Sequence, residues 1–305
     1  MTTLTLSIIL PIHDEQSEIR AFVDRLIYCL KELKVTYEVI AVDDGSKDGT
    51  REILQQIAKN NPNDFRLIIH PYNKGNGAAI KSGIRAARGE VIACMDADGQ
   101  HQPEDLMTLF PYMAEYDLVV GARQISYSGS WHRNIANNFY NAFASWLTNF
   151  PVKDLTSGYR LFRATVVRNY VHIFPARFSY PTTSTLLFLK GGYNVCYVPI
   201  DAKPRASGKS KINPLIDGWR FIIIILRIIF LYEPLRLFLP LSVLFFLIAI
   251  LLTILGSLQT GFFRLTNTSV LLFVLSVLVF LIGLVSEQIA TIQISVQDSN
   301  NKDKQ

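Results

Sequence analysis

The sequence of 305 residues is poor in cysteine: Cys29, Cys94 and Cys196 lie far apart, and none belongs to a Cys-x-x-Cys pair. Their odd number and wide spacing argue against a disulfide framework or a zinc site. The net charge is +5, yet no basic run interleaved with aromatic residues is present, so nucleic acid is not predicted as a partner. No signal peptide opens the chain, which predicts a cytoplasmic N-terminal region.

Apolar residues are concentrated after residue 213, and this shift in composition is the clearest domain boundary. Leu237–Leu258 and Ser269–Ser286 contain no charged residue. Each stretch is long enough to span the hydrocarbon core of a bilayer, about 30 Å thick. The sequence therefore predicts two transmembrane helices and a lipid bilayer as a partner.

The segment Leu215–Tyr232 differs from these spans because it contains three charged residues. At helical spacing, Asp217, Arg220 and Arg227 fall within one narrow sector of an otherwise apolar helix. That pattern favours an amphipathic helix in the membrane interface. A helix buried against the soluble domain is the alternative.

The basic residues predict the orientation of the membrane segment. Only Arg264 lies between the two spans, whereas several basic residues precede the first span and two follow the second. The positive-inside rule then places both termini and the catalytic domain in the cytoplasm. We expect a cytosolic domain over residues 1–212, an interfacial helix over 213–234, a two-helix anchor over 235–290 and a polar cytosolic tail over 291–305.

The region before residue 213 alternates short β-rich runs with helical stretches. This alternation predicts an α/β fold with a mostly parallel sheet and helices on both faces. The expected strands are Leu4–Pro11, Glu38–Val42, Phe65–His70, Glu90–Met95, Asp117–Gly121 and Tyr193–Pro199. The expected helices are Glu18–Leu33, Thr50–Lys59, Gly77–Arg88, Pro103–Ala114 and Trp131–Phe150. Ligands of such sheets bind outside the carboxyl ends of the strands.

Acidic pairs follow two of these strands. Asp96 and Asp98 lie two apart after a buried strand, and on extended backbone they would point the same way. Hard divalent cations take oxygen ligands and often share them with substrate phosphates, so the pair predicts Mg²⁺ or Mn²⁺ bound to a diphosphate. A solvated turn or a helix cap is the alternative.

Asp43 and Asp44 end another strand and offer acceptors for a nucleobase or ribose, although Ser46 or Asp48 nearby would also suit a helix cap. The stretch Asn73–Gly77 precedes a helix, where its glycines allow backbone to approach a ligand or simply to turn.

A polar loop from Asp154 to Arg160 is the next candidate. Arg160 is suited to pair with a phosphate, and Asp154 to orient the acceptor. The basic stretch Lys203–Lys211, with Arg205, Lys209 and Lys211, is suited to close over a diphosphate. Attraction of this stretch to anionic lipid is the alternative. His101 follows the Asp96 pair and is a candidate to line the site; the other histidines have no partner that the sequence identifies.

Together these motifs resemble family 2 glycosyltransferases, specifically the polyprenyl-phosphate branch. The resemblance covers about residues 4–212 and rests on these segments: Pro11 with Glu15, Val42–Ser46, Asp96–His101, Asp154–Arg160 and Arg205–Lys211. It implies a GT-A fold, an inverting mechanism and a divalent metal.

The resemblance also implies roles for individual residues. Asp96 and Asp98 serve the metal diphosphate, and Asp43 and Asp44 contact the nucleoside. The expected donor-binding residues are Pro11, Glu15, Asp43, Asp44, Lys74, Gly75, Asp96, Ala97, Asp98 and Gln100. The expected acceptor phosphate-binding residues are Arg123, Ser157, Arg205, Ser210 and Lys211, and the expected catalytic residues are Asp154, Arg160 and Arg205.

The predicted reaction transfers a sugar from a UDP- or GDP-linked hexose to a polyprenyl phosphate, dolichyl or undecaprenyl. A phosphate monoester is already largely dianionic at neutral pH, so this acceptor needs no strong general base. A hydroxyl acceptor, such as a glycolipid or glycan, would instead require Asp154 as base. A non-enzymatic, membrane-anchored protein that binds sugar nucleotides is a third reading. The sequence is compatible with a homo-oligomer.

Overall fold

The computed structural model describes residues 5–123, 131–177, 179–201 and 214–302. The chain divides into two compact units, Met1–Ile225 and Leu226–Gln305. The boundary lies inside the helix that the sequence predicts as interfacial.

The first unit alternates strands and helices over its first half. The strands are β1 (Leu6–Ile12), β2 (Tyr37–Asp43), β3 (Phe65–Ile69), β4 (Val91–Cys94), β5 (Leu118–Arg123), β6 (Arg160–Arg163) and β7 (Val195–Ile200). The helices are α1 (Ile19–Glu32), α2 (Thr50–Asn60), α3 (Asn76–Ala86), α4 (Asp105–Leu109), α5 (Trp131–Thr148), α6 (Ala164–Tyr170) and α7 (Tyr180–Lys190).

All seven strands form one sheet in the order β3-β2-β1-β4-β6-β5-β7. β1 pairs in parallel with β2 and β4, β2 pairs in parallel with β3, and β5 pairs in parallel with β7. Among the strands that the structure describes, only β6 runs antiparallel, between β4 and β5. The predicted α/β class with a mostly parallel sheet is confirmed. The carboxyl ends of β1, β2 and β4 meet at one edge.

Helices pack on both faces of this sheet. Alternate residues of β1, including Leu6, Ile8 and Leu10, join a buried cluster with apolar side chains of α1, α2 and α4. Ile9 points to the opposite face, where a Cβ on Gly83 of α3 would lie 2.3 Å from its Cγ2. Glycine at position 83 therefore allows α3 to pack directly on β1.

Two expectations within this unit are corrected. The loop expected from Asp154 to Arg160 does not extend to its last residue, because Arg160 begins β6. The single helix expected over Pro103–Ala114 is instead the short α4 followed by a 3₁₀ helix over Phe110–Ala114. Pro111 lacks the N–H that an α-helix would require in its interior, which explains the change.

The second unit is mainly an antiparallel helical hairpin. Helix α8 (Pro214–Tyr232) begins in the first unit, and α9 (Leu235–Thr260) and α10 (Asn267–Lys302) follow it. Segments Leu235–Thr260 and Asn267–Gln293 are both long and apolar enough to cross a membrane. Between α9 and α10, Ser242 and Ser276 each donate a side-chain hydrogen bond to the other's carbonyl at 3.0 Å. Small polar side chains of this kind tie helices together in an apolar environment.

Candidate active site

The two predicted metal carboxylates lie at the carboxyl end of β4. The strand ends at Cys94, and Asp96 and Asp98 follow it with partly exposed side chains. Residues 97–100 form a turn, so the expectation that both aspartates lie on extended backbone is wrong. Asp98 instead accepts the backbone N–H of Gln100 at 3.1 Å. Ala97 between them is buried.

Asp96 is held from several directions. Its backbone N–H donates to His101 Nδ1 at 3.0 Å, and its Oδ1 accepts from Asn76 Nδ2 at 3.2 Å. A Cβ on Gly158 would lie only 2.6 Å from Asp96 Oδ2 and 3.4 Å from His101 Cε1. Gly158 is therefore required for the loop that begins at Asp154 to pack against this carboxylate.

His101 supports the turn rather than facing open solvent. Its ring is buried and lies 5.3 Å from the ring of Tyr159, centroid to centroid. Burial and then Arg123 lower the pKa of His101 to about 4, against the opposing effects of Asp98 and Asp154. The ring is thus neutral at physiological pH, and Nδ1 is available as the acceptor for the Asp96 N–H.

Asp154 forms the second acidic element of the site, and it is paired with Arg123. Arg123 Nε lies 2.9 Å from Asp154 Oδ2, and its Nη2 lies 3.1 Å from Oδ1 and 2.6 Å from Thr156 Oγ1. Burial alone would raise the pKa of Asp154, but the hydrogen bond and charge of Arg123, with backbone N–H groups, lower it. Asp154 is therefore a poor proton acceptor.

The electrostatic environment joins this ion pair to the carboxylates after β4. Burial opposes the charged form of Arg123, but Asp154 first, and then Asp96 and Asp98, raise the pKa of Arg123. One guanidinium therefore balances three carboxylates at the edge of the sheet. These four described groups together carry net negative charge, which suits a divalent cation.

Ser157 and Arg160 are placed differently from expectation. Ser157 is buried, and its hydroxyl donates to the carbonyl of Gly121 at 2.6 Å. Arg160 is completely buried and donates to the carbonyls of Ser157 and Leu155. It also donates to Ser184 and Thr185 of α7. The sequence predicted that both side chains contact a phosphate. That prediction is corrected, because their polar groups are buried and already bonded within the protein.

Asp43, the last residue of β2, and Asp44, which follows it, are also buried. Asp43 accepts the Ser46 N–H at 2.9 Å and pairs with Arg51 Nε at 2.7 Å. Burial would raise the pKa of Asp43, but hydrogen bonds from Ser46 and Arg51 lower it. Asp48 accepts the first N–H of α2, from Thr50, at 3.0 Å. The N-cap residue of α2 is Gly49, so neither Ser46 nor Asp48 is itself the cap that the sequence offered as the alternative.

Asp44 anchors the turn that precedes α3. It accepts the backbone N–H groups of Lys74 at 3.0 Å and Gly75 at 2.7 Å, and its Oδ1 lies 2.7 Å from His70 Nδ1. His70 is a functional candidate that the sequence did not identify. Its position directly after β3, among strand ends of the same edge, was the available signal. Lys74 keeps an exposed side chain.

Of the remaining predicted residues, some lie partly exposed near the strand ends and the others lie outside the described residues. Pro11 and Glu15 lie partly exposed at and just after the end of β1, where the Glu15 N–H donates to Thr50 Oγ1 at 2.9 Å. Gln100 lies partly exposed in the turn after Asp98. Arg205, Lys209, Ser210 and Lys211 lie outside the described residues.

The carboxylate oxygens at this end of the sheet suit a cation that is shared with the substrate. Asp96 and Asp98 offer carboxylate oxygens, which Mg²⁺ and Mn²⁺ accept. Within the described part of the chain, no group of three or more His, Cys, Asp or Glu side chains is arranged to hold a metal ion. A cation bound to Asp96 and Asp98 would therefore complete its coordination with water or with substrate oxygens.

Comparison with known proteins agrees with this fold. Solved structures of glucosyl-3-phosphoglycerate synthase from Mycobacterium tuberculosis, one of them a complex with Mn²⁺, UDP and phosphoglyceric acid, have the same fold. That complex superposes with a TM-score of 0.57 at 17% identity, over 74% of this chain and 78% of the synthase. The predicted GT-A fold is confirmed.

The family model of glycosyl transferase family 2 matches residues 7–171, and the model of the GtrB C-terminal hairpin matches residues 233–292. The chain belongs to glycosyl transferase family 2, as the motifs predicted. The second match coincides with α9 and most of α10.

Curated relatives resemble most of this chain. An uncharacterized glycosyltransferase of Synechocystis is 30% identical over 69% of this chain and 65% of its own length. An undecaprenyl-phosphate 4-deoxy-4-formamido-L-arabinose transferase of Pseudomonas savastanoi is 28% identical over 68% of this chain and 61% of its own. A dolichyl-phosphate beta-glucosyltransferase of Dictyostelium discoideum is 28% identical over 74% of each. The chain spans less than two thirds of the length of the first two relatives.

Proposed function

We propose that this chain transfers a hexose from a UDP- or GDP-linked donor to a polyprenyl phosphate at the cytosolic face of a membrane. One observation supports this acceptor above all: Asp154, the carboxylate that a hydroxyl acceptor would require as its base, is already paired with Arg123. The named relatives that use undecaprenyl or dolichyl phosphate support the same choice.

The reaction needs one bond to form and one to break. A phosphate oxygen of the acceptor attacks the anomeric carbon of the sugar from the face opposite the nucleotide. The bond from that carbon to the diphosphate oxygen breaks, and the nucleoside diphosphate leaves with the electron pair. Configuration at the carbon is inverted. No proton has to be removed, because the second pKa of a phosphate monoester is about 6.

The donor occupies the carboxyl edge of β1, β2 and β4 in this proposal. Asp96 and Asp98 hold a divalent cation, Mg²⁺ or Mn²⁺, which when bound supplies positive charge beside the diphosphate. Lys74, exposed in the turn before α3, is the candidate cation for the donor phosphates. Pro11, Glu15, Asp43, Asp44, Gly75, Ala97 and Gln100 shape or border the donor site, with the two buried aspartates acting by fixing its loops.

The acceptor phosphate requires cations, not a base. Arg123 stands at the edge of the site with its side chain 28% exposed, and it has donors beyond those bonded to Asp154 and Thr156. From the sequence, Arg205, Ser210 and Lys211 are the further candidates for this phosphate. Asp154 orients Arg123. Arg160 has no part in the transfer and holds the loop from Leu155 to Ser157 against α7.

The membrane arrangement completes the proposal. The candidate spans are Leu235–Thr260 and Asn267–Gln293, with the catalytic domain and both termini on the cytoplasmic side. Helix α8 is the interfacial segment, where a lipid-borne phosphate meets a soluble donor. The division into residues 1–212, 213–234, 235–290 and 291–305 follows from this arrangement, and self-association into a homo-oligomer is compatible with it.

Product identification tests this function. Purified full-length protein is incubated with undecaprenyl or dolichyl phosphate, Mn²⁺ or Mg²⁺, and a panel of UDP- and GDP-hexoses. We expect one donor to give a polyprenyl-phosphate sugar and a nucleoside diphosphate in equal amounts. Asp96→Asn and Asp98→Asn should abolish the product, and the exposed Asp24→Asn should not. No lipid product with any donor, or full activity of both variants, would refute the proposal.

A further inference from the structure

The turn before α3 is held by a buried carboxylate. Asp44 is 3% exposed and accepts two consecutive backbone N–H groups, from Lys74 and Gly75. Gly75 has φ of +103°, a conformation that other residues rarely adopt. The turn therefore has one well-defined geometry, and Asp44 fixes it in place against the end of β2.

His70 in turn fixes Asp44. Its Nδ1 lies 2.7 Å from Asp44 Oδ1, and its Nε2 lies 2.9 Å from Ser82 Oγ on α3. An ionised carboxylate only accepts hydrogen bonds, so Nδ1 carries a proton and donates it to Asp44. The ring is buried and bonded at both nitrogens, which leaves it one orientation.

Asn76 connects this assembly to the candidate metal site. It follows Gly75 directly, begins α3, and donates from Nδ2 to Asp96 Oδ1 at 3.2 Å. The opposite oxygen of Asp96 faces Gly158. The carboxylate orientation thus depends on the position of Asn76, which in turn depends on the turn that Asp44 and His70 hold.

We propose that Asn76 is a positioning residue for the Asp96 carboxylate, and that His70 acts through Asp44 to hold the turn from which Asn76 reaches it. The inference rests on the proposed function, because it takes Asp96 to bind a cation together with a nucleoside diphosphate. Outer hydrogen-bond partners of metal ligands commonly change metal affinity by about 10- to 100-fold when removed. Neither residue touches the substrate, so neither is a catalytic residue.

Mn²⁺ binding in the absence of acceptor tests this inference without any turnover. Free Mn²⁺ is measured by electron paramagnetic resonance as full-length protein is titrated with Mn²⁺ in the presence of UDP, and separately of GDP. We expect Asn76→Ala to weaken binding about tenfold while the melting temperature stays near that of the wild type. Asn63→Ala, at an exposed asparagine just before β3, is the matched control and should bind as the wild type does.

A pair of variants at His70 separates positioning from mere stability. Asn places an amide N–H near the position of the ring Nδ1, so His70→Asn should retain Mn²⁺ binding, whereas His70→Ala should lose affinity as Asn76→Ala does.

Wild-type binding by Asn76→Ala, or equal loss in Asn63→Ala, would overturn the inference and leave the proposed function standing. No binding of Mn²⁺ with either nucleotide by the wild type would refute the proposed function, and this inference with it.

Discussion

Arg123 and Asp154 form a two-pronged ion pair, with Nε to Oδ2 at 2.9 Å and Nη2 to Oδ1 at 3.1 Å. The pair joins the end of β5 to the loop before β6, which are separated by 31 residues of chain. Asp154 also accepts the N–H groups of Thr156 and Ser157. The carboxylate is therefore fully engaged as a charged acceptor within the protein.

Removal of the arginine should destabilise the first unit. In Arg123→Gln the Asp154 carboxylate, with a side chain only 10% exposed, stays buried without its cation, and we expect a loss of about 3 kcal/mol. Arg25→Gln breaks an ion pair with Glu104 whose side chains are 47% and 54% exposed, and it should cost at most about 1 kcal/mol. Urea unfolding of both variants measures the difference, and equal losses would contradict this account of the pair.

The pH dependence of turnover should follow the ionisation of the acceptor phosphate and not that of Asp154. The folded pKa of Asp154 lies below its unfolded value of about 3.9, so the ion pair stabilises the protein fully above that value and is lost as pH falls through the folded pKa. Nothing on Asp154 titrates between about pH 6 and 8. Turnover should instead rise through about pH 6 as the acceptor loses its second proton.

An acceptor analogue makes this pH prediction specific. A polyprenyl phosphonate has a higher second pKa than the phosphate, so the rising limb of the profile should move to higher pH. A limb at the same pH with both acceptors would place the titrating group on the protein and favour a general base.

Two glycines offer matched substitutions with opposite expected results. Gly158→Ala places a Cβ 2.6 Å from Asp96 Oδ2, so the carboxylate must move, and we expect turnover to fall at least about tenfold. Gly192→Ala meets nothing within 4 Å but sits at φ of +75°, so it should cost about 1 kcal/mol of stability and leave turnover unchanged. Turnover assays and thermal melts of the two variants check this, and normal turnover in Gly158→Ala would contradict the packing described.

The sequence predicted most of the fold because its signals are local. Continuous apolar runs form β1, β2 and β4, and uncharged stretches lie within α9 and α10. Each of these patterns can be recognised within one short segment of the sequence. The four-residue strand β6 was missed because two of its residues, Arg160 and Arg163, are charged and it follows a glycine-containing loop. Its burial depends on β4 and β5 on either side, which no local pattern reveals.

The sequence predicted which residues lie at the site better than it predicted the role of each side chain. Asp96 and Asp98 lie where the strand pattern placed them, at the carboxyl edge of the sheet. Arg160 was expected to meet a phosphate, but its partners Ser184 and Thr185 come from a helix more than twenty residues later. His70 contacts Asp44 and Ser82 only because β2, β3 and α3 pack together. Partners brought together by tertiary structure decide whether a polar side chain faces a ligand or the protein.

The orientation of the membrane hairpin is testable by labelling. Phe263 is 75% exposed in the segment between α9 and α10, and positive-inside placement puts this segment on the outer side. In a background without the native cysteines, Phe263→Cys should react with a membrane-impermeant maleimide on intact cells. Lys59→Cys, exposed on α2, should react only after permeabilisation. The reverse pattern would overturn the predicted topology.

The choice of acceptor is the central claim, and a comparison of two lipids tests it most directly. The full-length protein, with its donor and Mn²⁺ or Mg²⁺, is given either polyprenyl phosphate or the free polyprenol of the same length, and the sugar-bearing lipid is quantified. Cations at the site recognise a phosphate and offer nothing to a neutral hydroxyl, so transfer is predicted to the phosphate alone. Comparable transfer to the free alcohol would contradict the account and assign Asp154 the role of a base.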